Sequence, residues 1–251
     1  MRQSVFILAV FIALGLPCRA WADLSLLLRQ GDRLDEQRRT AEALAVYRQA
    51  EQLNPNQSDV LHRISKQLGE SIQDTADTAR KKALAEQAFQ YAQRAVTADP
   101  ESSNAHISLA ICYGLLTPYQ GSKEKIETSK RIKTHADRAI ALDATNEIAH
   151  YVMGAWHHGL ASLNPILAGV ARVIYGALPP ASNLEAIASF QRALALNPHR
   201  AATWLGLGHA LAEEGKKDQA QQALEKAIAL PVRYKDDPET KAKARLALAD
   251  L

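Results

Sequence analysis

Cysteine is nearly missing from this 251-residue chain: Cys18 and Cys112 are its two, and they form no C-x-x-C pair, which excludes that metal and redox chemistry. Aromatic residues are scarce at 6 %, while Ala, Leu, Gln, Glu and Lys dominate, a composition that favours helix over strand. No apolar run reaches the roughly 20 residues that a bilayer span needs. The catalytic signatures G-x-S-x-G, H-E-x-x-H, G-x-x-x-x-G-K-[ST] and G-x-G-x-x-G are absent, and the glycines of "GLGHA" fall inside a helical period. No enzyme and no cofactor are therefore expected. Charge of one sign is also lacking. The formal +3 includes Arg2 and Arg19, which lie in a segment expected to be removed, and the rest carries 28 basic and 27 acidic residues. A sequence pI of 8.8 is then no argument for nucleic acid, and no nucleic-acid partner is expected.

The removable segment is the start, "MRQSVFILAVFIALGLPCRAWADLS". Arg2 precedes an uncharged run of 12 residues from Val5 to Leu16, and Ala20-Trp21-Ala22 supplies a small-residue site before Asp23. Charged start, short apolar core and A-x-A site form the export-signal pattern, so residues 1–22 read as a signal peptide cleaved after Ala22. Cys18 follows Pro17 and lacks a lipoprotein context, so the expected location is the periplasm. Cleavage leaves Cys112 alone in an apolar helical pattern, which suits a small buried thiol.

What is present is a repeat. "GDRLDEQRRTAEALAVYRQAEQLNP" and "GHALAEEGKKDQAQQALEKAIALP" share Gly, a small residue 12 places on, an aromatic or Leu 4 later and Ala 3 after that: Gly31, Ala43, Tyr47, Ala50 and Gly208, Ala220, Leu224, Ala227. This resembles the tetratricopeptide repeat of about 34 residues, a pair of antiparallel helices closed by proline. The anchors place repeats at about 24–57, 58–102, 103–146, 147–200 and 201–234, and a capping helix at about 237–251. Asp237 before Pro238 reads as its N-cap. The fold expected for residues 23–251 is all-α: a right-handed tetratricopeptide-repeat superhelix of antiparallel helix pairs with a C-terminal capping helix. The closing positions Pro55, Pro100, Ala144, Pro198 and Val232 lie 45, 44, 54 and 34 residues apart, so the three middle repeats are lengthened.

"HYVMGAWHHGLASL" (150–163), "IYGALPPASNLEAIASFQRALALNP" (174–198) and "LGLGHALAEEGKKDQAQQALEKAIALPVRYKDD" (205–237) match one family better than a plain repeat: they resemble the regulator of microtubule dynamics family, whose C-terminal half is an atypical tetratricopeptide domain. The resemblance implies an adaptor or tethering protein linked to microtubules and organelle membranes, with phospholipid binding in some members. This chain departs from it at the front, where an export signal stands in place of membrane anchor, coiled coil and adaptor-binding segments. A periplasmic protein meets no microtubule, so the fold and the groove carry over and the microtubule role does not.

His150, His157 and His158 invite a metal reading, but ligands at i, i+7 and i+8 of one helix span about 11 Å, too far for a single ion. Packing is the expected role for most of them, and no metal site is expected. The groove is more informative. The first helix of each repeat lines the concave surface, and its inward places carry charge early (Asp32, Asp35, Asp59, Arg63, Lys66) and apolar side chains late. Ile107, Ile111, Tyr151, Val152, Ala155, His158, Leu205 and His209 are the candidate binding residues, because contiguous apolar surface on a concave face marks a ligand or partner. "LNPILAGVARVIYGALPP" (163–180) has Pro165 and Arg172 within it and repeats apolar residues at helical spacing, so it reads as a short amphipathic helix rather than a span. It either adds core to a long repeat or is a candidate lid over the groove, with Val170 and Ile174 facing an apolar ligand and Arg172 meeting an acidic group. The leading expectation is a non-enzymatic scaffold that takes a protein or peptide segment in the groove. The alternative is a carrier of lipid or another apolar molecule.

Overall fold

The computed structural model describes residues 15–163, Gly169 and 180–251, with side chains from residue 22 onward. Among the described residues there are eleven α-helices and no strand. Ten form consecutive antiparallel pairs: α1 (Gly15–Glu36) with α2 (Thr40–Leu53), α3 (Ser58–Glu70) with α4 (Thr78–Ala98), α5 (Ser103–Leu116) with α6 (Ser122–Leu142), α7 (Glu147–Ala161) with α8 (Asn183–Leu196), and α9 (Ala201–Glu213) with α10 (Lys217–Ala229). The last helix, α11 (Asp237–Ala249), packs on α9 and α10 and caps the array. The architecture is an all-α tetratricopeptide-repeat superhelix. Val170, Arg172 and Ile174 lie outside the described residues.

Local chemistry explains where the helices start and stop. Asp77, Ser102, Asn146 and Ser182 each accept the N–H of Ala79, Ala105, Ala149 or Glu185 at 2.9–3.2 Å, satisfying a donor that the first helical turn leaves free. Four second helices end on an Asx residue in extended conformation: Asn54, Asp99, Asp143 and Asn197. The last three accept the N–H two residues on at 2.8–3.1 Å, a turn that hands the chain to the next repeat. The surplus length of the second and third repeats sits largely in α4 and α6. Each has 21 residues against 14 in α2, which is about two extra turns presenting the same face. Ala85, Ala88, Ala92 and Ala95 make that face on α4, all with no exposed surface. The "TPYQGSKEK" stretch divides into a short 3-10 turn at Thr117–Tyr119 and the start of α6.

Small residues let the helices close on large ones. Phe190 is 1 % exposed, and its ring lies where a Cβ on either Gly154 or Gly206 would be, so one side chain of α8 fills space vacated on both α7 and α9. The closing loop corrects one sequence expectation. Asp237 is the first residue of α11 rather than its N-cap, and its fully buried carboxylate accepts backwards from the N–H groups of Arg233 and Tyr234, both at 2.7 Å. A carboxylate placed before Pro238 finds those donors in the incoming loop.

The inner wall follows from which helices touch. Helices α3, α5, α7, α9 and α11 pack on one another in sequence, whereas α2, α4, α6, α8 and α10 make no comparable contact with each other. Close spacing on one side and wide spacing on the other is curvature, with the first helices inside. The wide side opens as a cleft of about 810 Å³ between α2 and α4, floored by Leu44, Leu68 and Leu84.

Candidate functional site: the concave groove

The early half of the inner wall is a closed network of charges. Asp32 accepts from the Tyr47 hydroxyl at 2.7 Å and from Arg63 Nε at 2.8 Å, and Arg63 Nη1 meets Asp59 at 2.6 Å. One turn on, Lys66 donates to Asp35 at 2.6 Å and to Glu70 at 2.8 Å, while Gln67 Nε2 donates to Asp35 at 2.8 Å. The network sets its own protonation states. The His62 hydrogen bond and the Arg63 charge hold Asp59 at about 2 against its burial. Burial raises the Tyr47 hydroxyl, and its bond to Asp32 adds to that. Burial also raises Glu70 despite the neighbouring Lys66. The sequence places Asp32 and Asp35 on the inward side of the first helix without indicating their partners. Both bridge to α3, a pairing across 31 residues that no local spacing reveals.

The late half differs. Ile111 on α5 and Ile148 on α7 are 38 % and 39 % exposed, and Ala155 is exposed one further turn and more along α7. Tyr151, His158, Leu205 and His209 are half-buried. The Tyr151 ring lies 6.1 Å from that of Phe190, and the rings of His158 and His209 lie 6.1 Å apart. Burial, then the neighbouring His158, lowers the pKa of His209, and burial raises that of the Tyr151 hydroxyl. Ile107 and Val152 stand elsewhere than their inward places implied. At 3 % and 9 % exposed, they pack with Ala110, Met153 and Trp156 in the core between α5 and α7. An inner helix must bury one flank against the next inner helix, and these two residues sit on that flank. Of the eight candidate groove positions, six therefore remain at or near the surface.

The histidines are individually engaged. His150 Nε2 donates to the Ala144 carbonyl at 3.0 Å, and His158 Nδ1 donates to Asn183 Oδ1 at 2.9 Å. The ring of His157 stands edge-on to Trp156 with centroids 4.9 Å apart, and burial lowers its pKa. The three histidines of α7 thus stand in three different surroundings, and the buried Nδ1 of His157 has no hydrogen-bond partner among the described residues. Among the described residues no group of three or more His, Cys, Asp or Glu side chains is placed to hold a metal. Repetition was the readable signal here. His106, His150 and Trp204 each stand six residues after Pro100, Ala144 and Pro198, and each donates a ring N–H to that carbonyl at 2.9–3.0 Å. Cys112 is buried, 3.2 Å from the Ser65 hydroxyl, and burial pushes its thiol up to about 12, far from a reactive thiolate. No described helix is long and apolar enough to cross a membrane.

Similar proteins share this fold. The chain resembles a thermophilic tetratricopeptide-repeat protein of Thermus thermophilus, with TM-score 0.63 and 16 % identity over 90 % of this chain and 99 % of that one. It also resembles PilF of Pseudomonas aeruginosa, with TM-score 0.53 and 13 % identity over 92 % of this chain and 93 % of that one. At these identities the likeness is one of fold. In sequence it is 30 % identical over 165 residues to regulator of microtubule dynamics protein 1 of Bos taurus, covering 65 % of this chain and 52 % of the relative. It is 25 % identical over 247 residues to regulator of microtubule dynamics protein 3 of Bos taurus, covering 94 % and 52 %. The chain thus spans about half the length of these curated relatives. A family profile described as "Regulator of microtubule dynamics protein 1-3" matches residues 27–251. The chain belongs to the regulator of microtubule dynamics family.

Proposed function

We propose that this protein is a non-enzymatic scaffold that takes a segment of another protein in the late half of its concave groove. The observation that carries the reading is the contrast between the two halves of the inner wall. In the early half Arg63 and Lys66 are neutralised by Asp32, Asp35, Asp59 and Glu70, so an anionic ligand would first have to break short ion pairs. In the late half Ile111 and Ile148 stay exposed beside half-buried Tyr151, Leu205, His158 and His209, a surface with apolar area to bury and a few polar tips to set register. Paired charges on the wall also argue against nucleic acid.

Export belongs to the same proposal. Cleavage after Ala22 would leave a mature chain beginning at Asp23, which N-terminal sequencing of protein from the envelope fraction tests directly. An unprocessed start at Met1 would remove the periplasmic assignment. In that compartment the microtubules in the relatives' name are out of reach, so the partner is sought among envelope proteins.

A second reading follows from the same exposed isoleucines: lipid or another apolar molecule in the groove, covered by residues 163–180. Native mass spectrometry of freshly purified protein separates the two. A co-purifying mass of lipid size, lost when Val170 and Ile174 are both replaced by Asp, favours the carrier. In-cell crosslinking to a protein, lost in Ile111→Glu/Ile148→Glu, favours the scaffold.

A further inference from the structure

The two ends of the superhelix meet, and they meet through polar contacts. Arg38, in the turn between α1 and α2, donates from Nη1 to the Val232 carbonyl at 2.7 Å, across 194 residues of sequence. Lys235 Nζ reaches Asp74 Oδ2 at 2.6 Å and the Thr40 hydroxyl at 3.0 Å. One jaw is thus the inter-helix turns of the first two pairs, and the other is the loop joining α10 to α11. Among the described residues no core cluster joins the first two helix pairs to the loop between α10 and α11, although Leu230 and Thr40 beside the junction are themselves buried.

Two features mark this junction as built. Arg38 has φ +61°, the one non-glycine residue in the left-handed region among those described. It stands five residues before Ala43, and the matching place five before Ala220 is Gly215, with φ +71°. Glycine takes that conformation without strain, whereas a side chain meets its own backbone there. An arginine at a glycine position is accounted for by what its guanidinium reaches. The opposite jaw is equally well defined. The Asp237 carboxylate fixes the N–H groups of Arg233 and Tyr234, Arg200 makes two bonds to Asp236 at 2.6 and 2.8 Å, and its guanidinium lies 4.3 Å over the Tyr234 ring. Asn197 Nδ2 donates to the Tyr234 hydroxyl at 3.0 Å. Val232 and Lys235 are therefore presented by a loop tied to α8, α9 and α11.

We infer that Arg38, Thr40 and Asp74 with Val232 and Lys235 form a latch, which holds the superhelix closed over its concave groove and opens to widen it. Asp74 is more than half exposed while Lys235 is only 16 % exposed, so salt weakens their pair in part, and among the described residues no core cluster spans the junction. A closed latch restricts the groove to an extended segment; an open one accepts a bulkier element. What passes the latch rests on the groove reading, but the latch itself does not.

Small-angle X-ray scattering on the full chain tests it, with circular dichroism confirming helix content and a cooperative melt for each variant. Lys235→Asp and Asp74→Lys are each expected to increase the radius of gyration and maximum dimension, and the double swap to restore the wild-type profile. Wild type is expected to expand from low to molar salt. Arg38→Gly places glycine where Gly215 stands in the fifth repeat, so it keeps the fold while removing one latch bond, and it decides the matter if a charge reversal fails to fold. Identical profiles for wild type and all variants would overturn the latch, as would an expansion that the double swap does not reverse. Scattering reads shape without any partner, so the failure of groove binding and the failure of the latch are separate results.

Discussion

Phe190 shows how much a single side chain carries here. It fills the space left by Gly154 and Gly206, so truncating it opens a cavity on two helices at once. Phe190→Ala is expected to cost about 3–5 kcal/mol, read as a fall in the urea midpoint at unchanged slope. The histidines give a residue-scale pH signature. Burial lowers the pKa of His135, His157 and His209, so the fold favours their neutral forms. Their contribution to stability is complete above the ordinary value of about 6.5 and declines as pH falls from there. Glu70, raised by burial, pulls the other way as one group against three. The melting temperature should therefore fall between about pH 6.5 and 5, and the triple His→Gln variant should flatten that slope. A melting temperature constant across that window would contradict it. At this scale the sequence was partly legible. The glycine, alanine and aromatic positions of the repeat announce Tyr47 and Phe190, but nothing local announces that Asp32 would find Arg63 or that Asp237 would turn back into its own loop.

At the scale of elements the reading was fuller, because helix ends are decided within a few residues. The Asx residues at 54, 99, 143 and 197 and the prolines that follow three of them stop the second helices without reference to tertiary structure. Asp77 stands before a run with no glycine or proline, and it caps α4. Asp77→Ala is expected to cost about 1 kcal/mol, with increased amide exchange confined to the first turns of α4. Uniform protection along α4 in that variant would remove the role assigned to the cap. Inward-facing positions were less legible. The helical period tells which face of α5 and α7 points away from the outer helix, but not how that face is divided between groove and neighbouring inner helix. Ile107 and Val152 fall on the neighbour's side of that line, and only the packing angle between the pairs decides it.

The whole molecule is where sequence reasoning runs out. Repeat number and curvature say that a groove exists; they do not say that the first and last segments touch, since contacts such as Arg38 to Val232 depend on the accumulated twist of every pair between them. The division of the inner wall into an ion-paired half and an apolar half is likewise a property of the assembled superhelix. Partner binding in the late groove rests on that division. A photo-crosslinking residue introduced in cells at Ile111, or at Ala155, should trap a discrete protein adduct, while the same residue at Leu246, 68 % exposed on α11, should trap none. Adducts of equal yield from Leu246, or none from either groove position, would contradict the claim that the late concave face is where this protein binds.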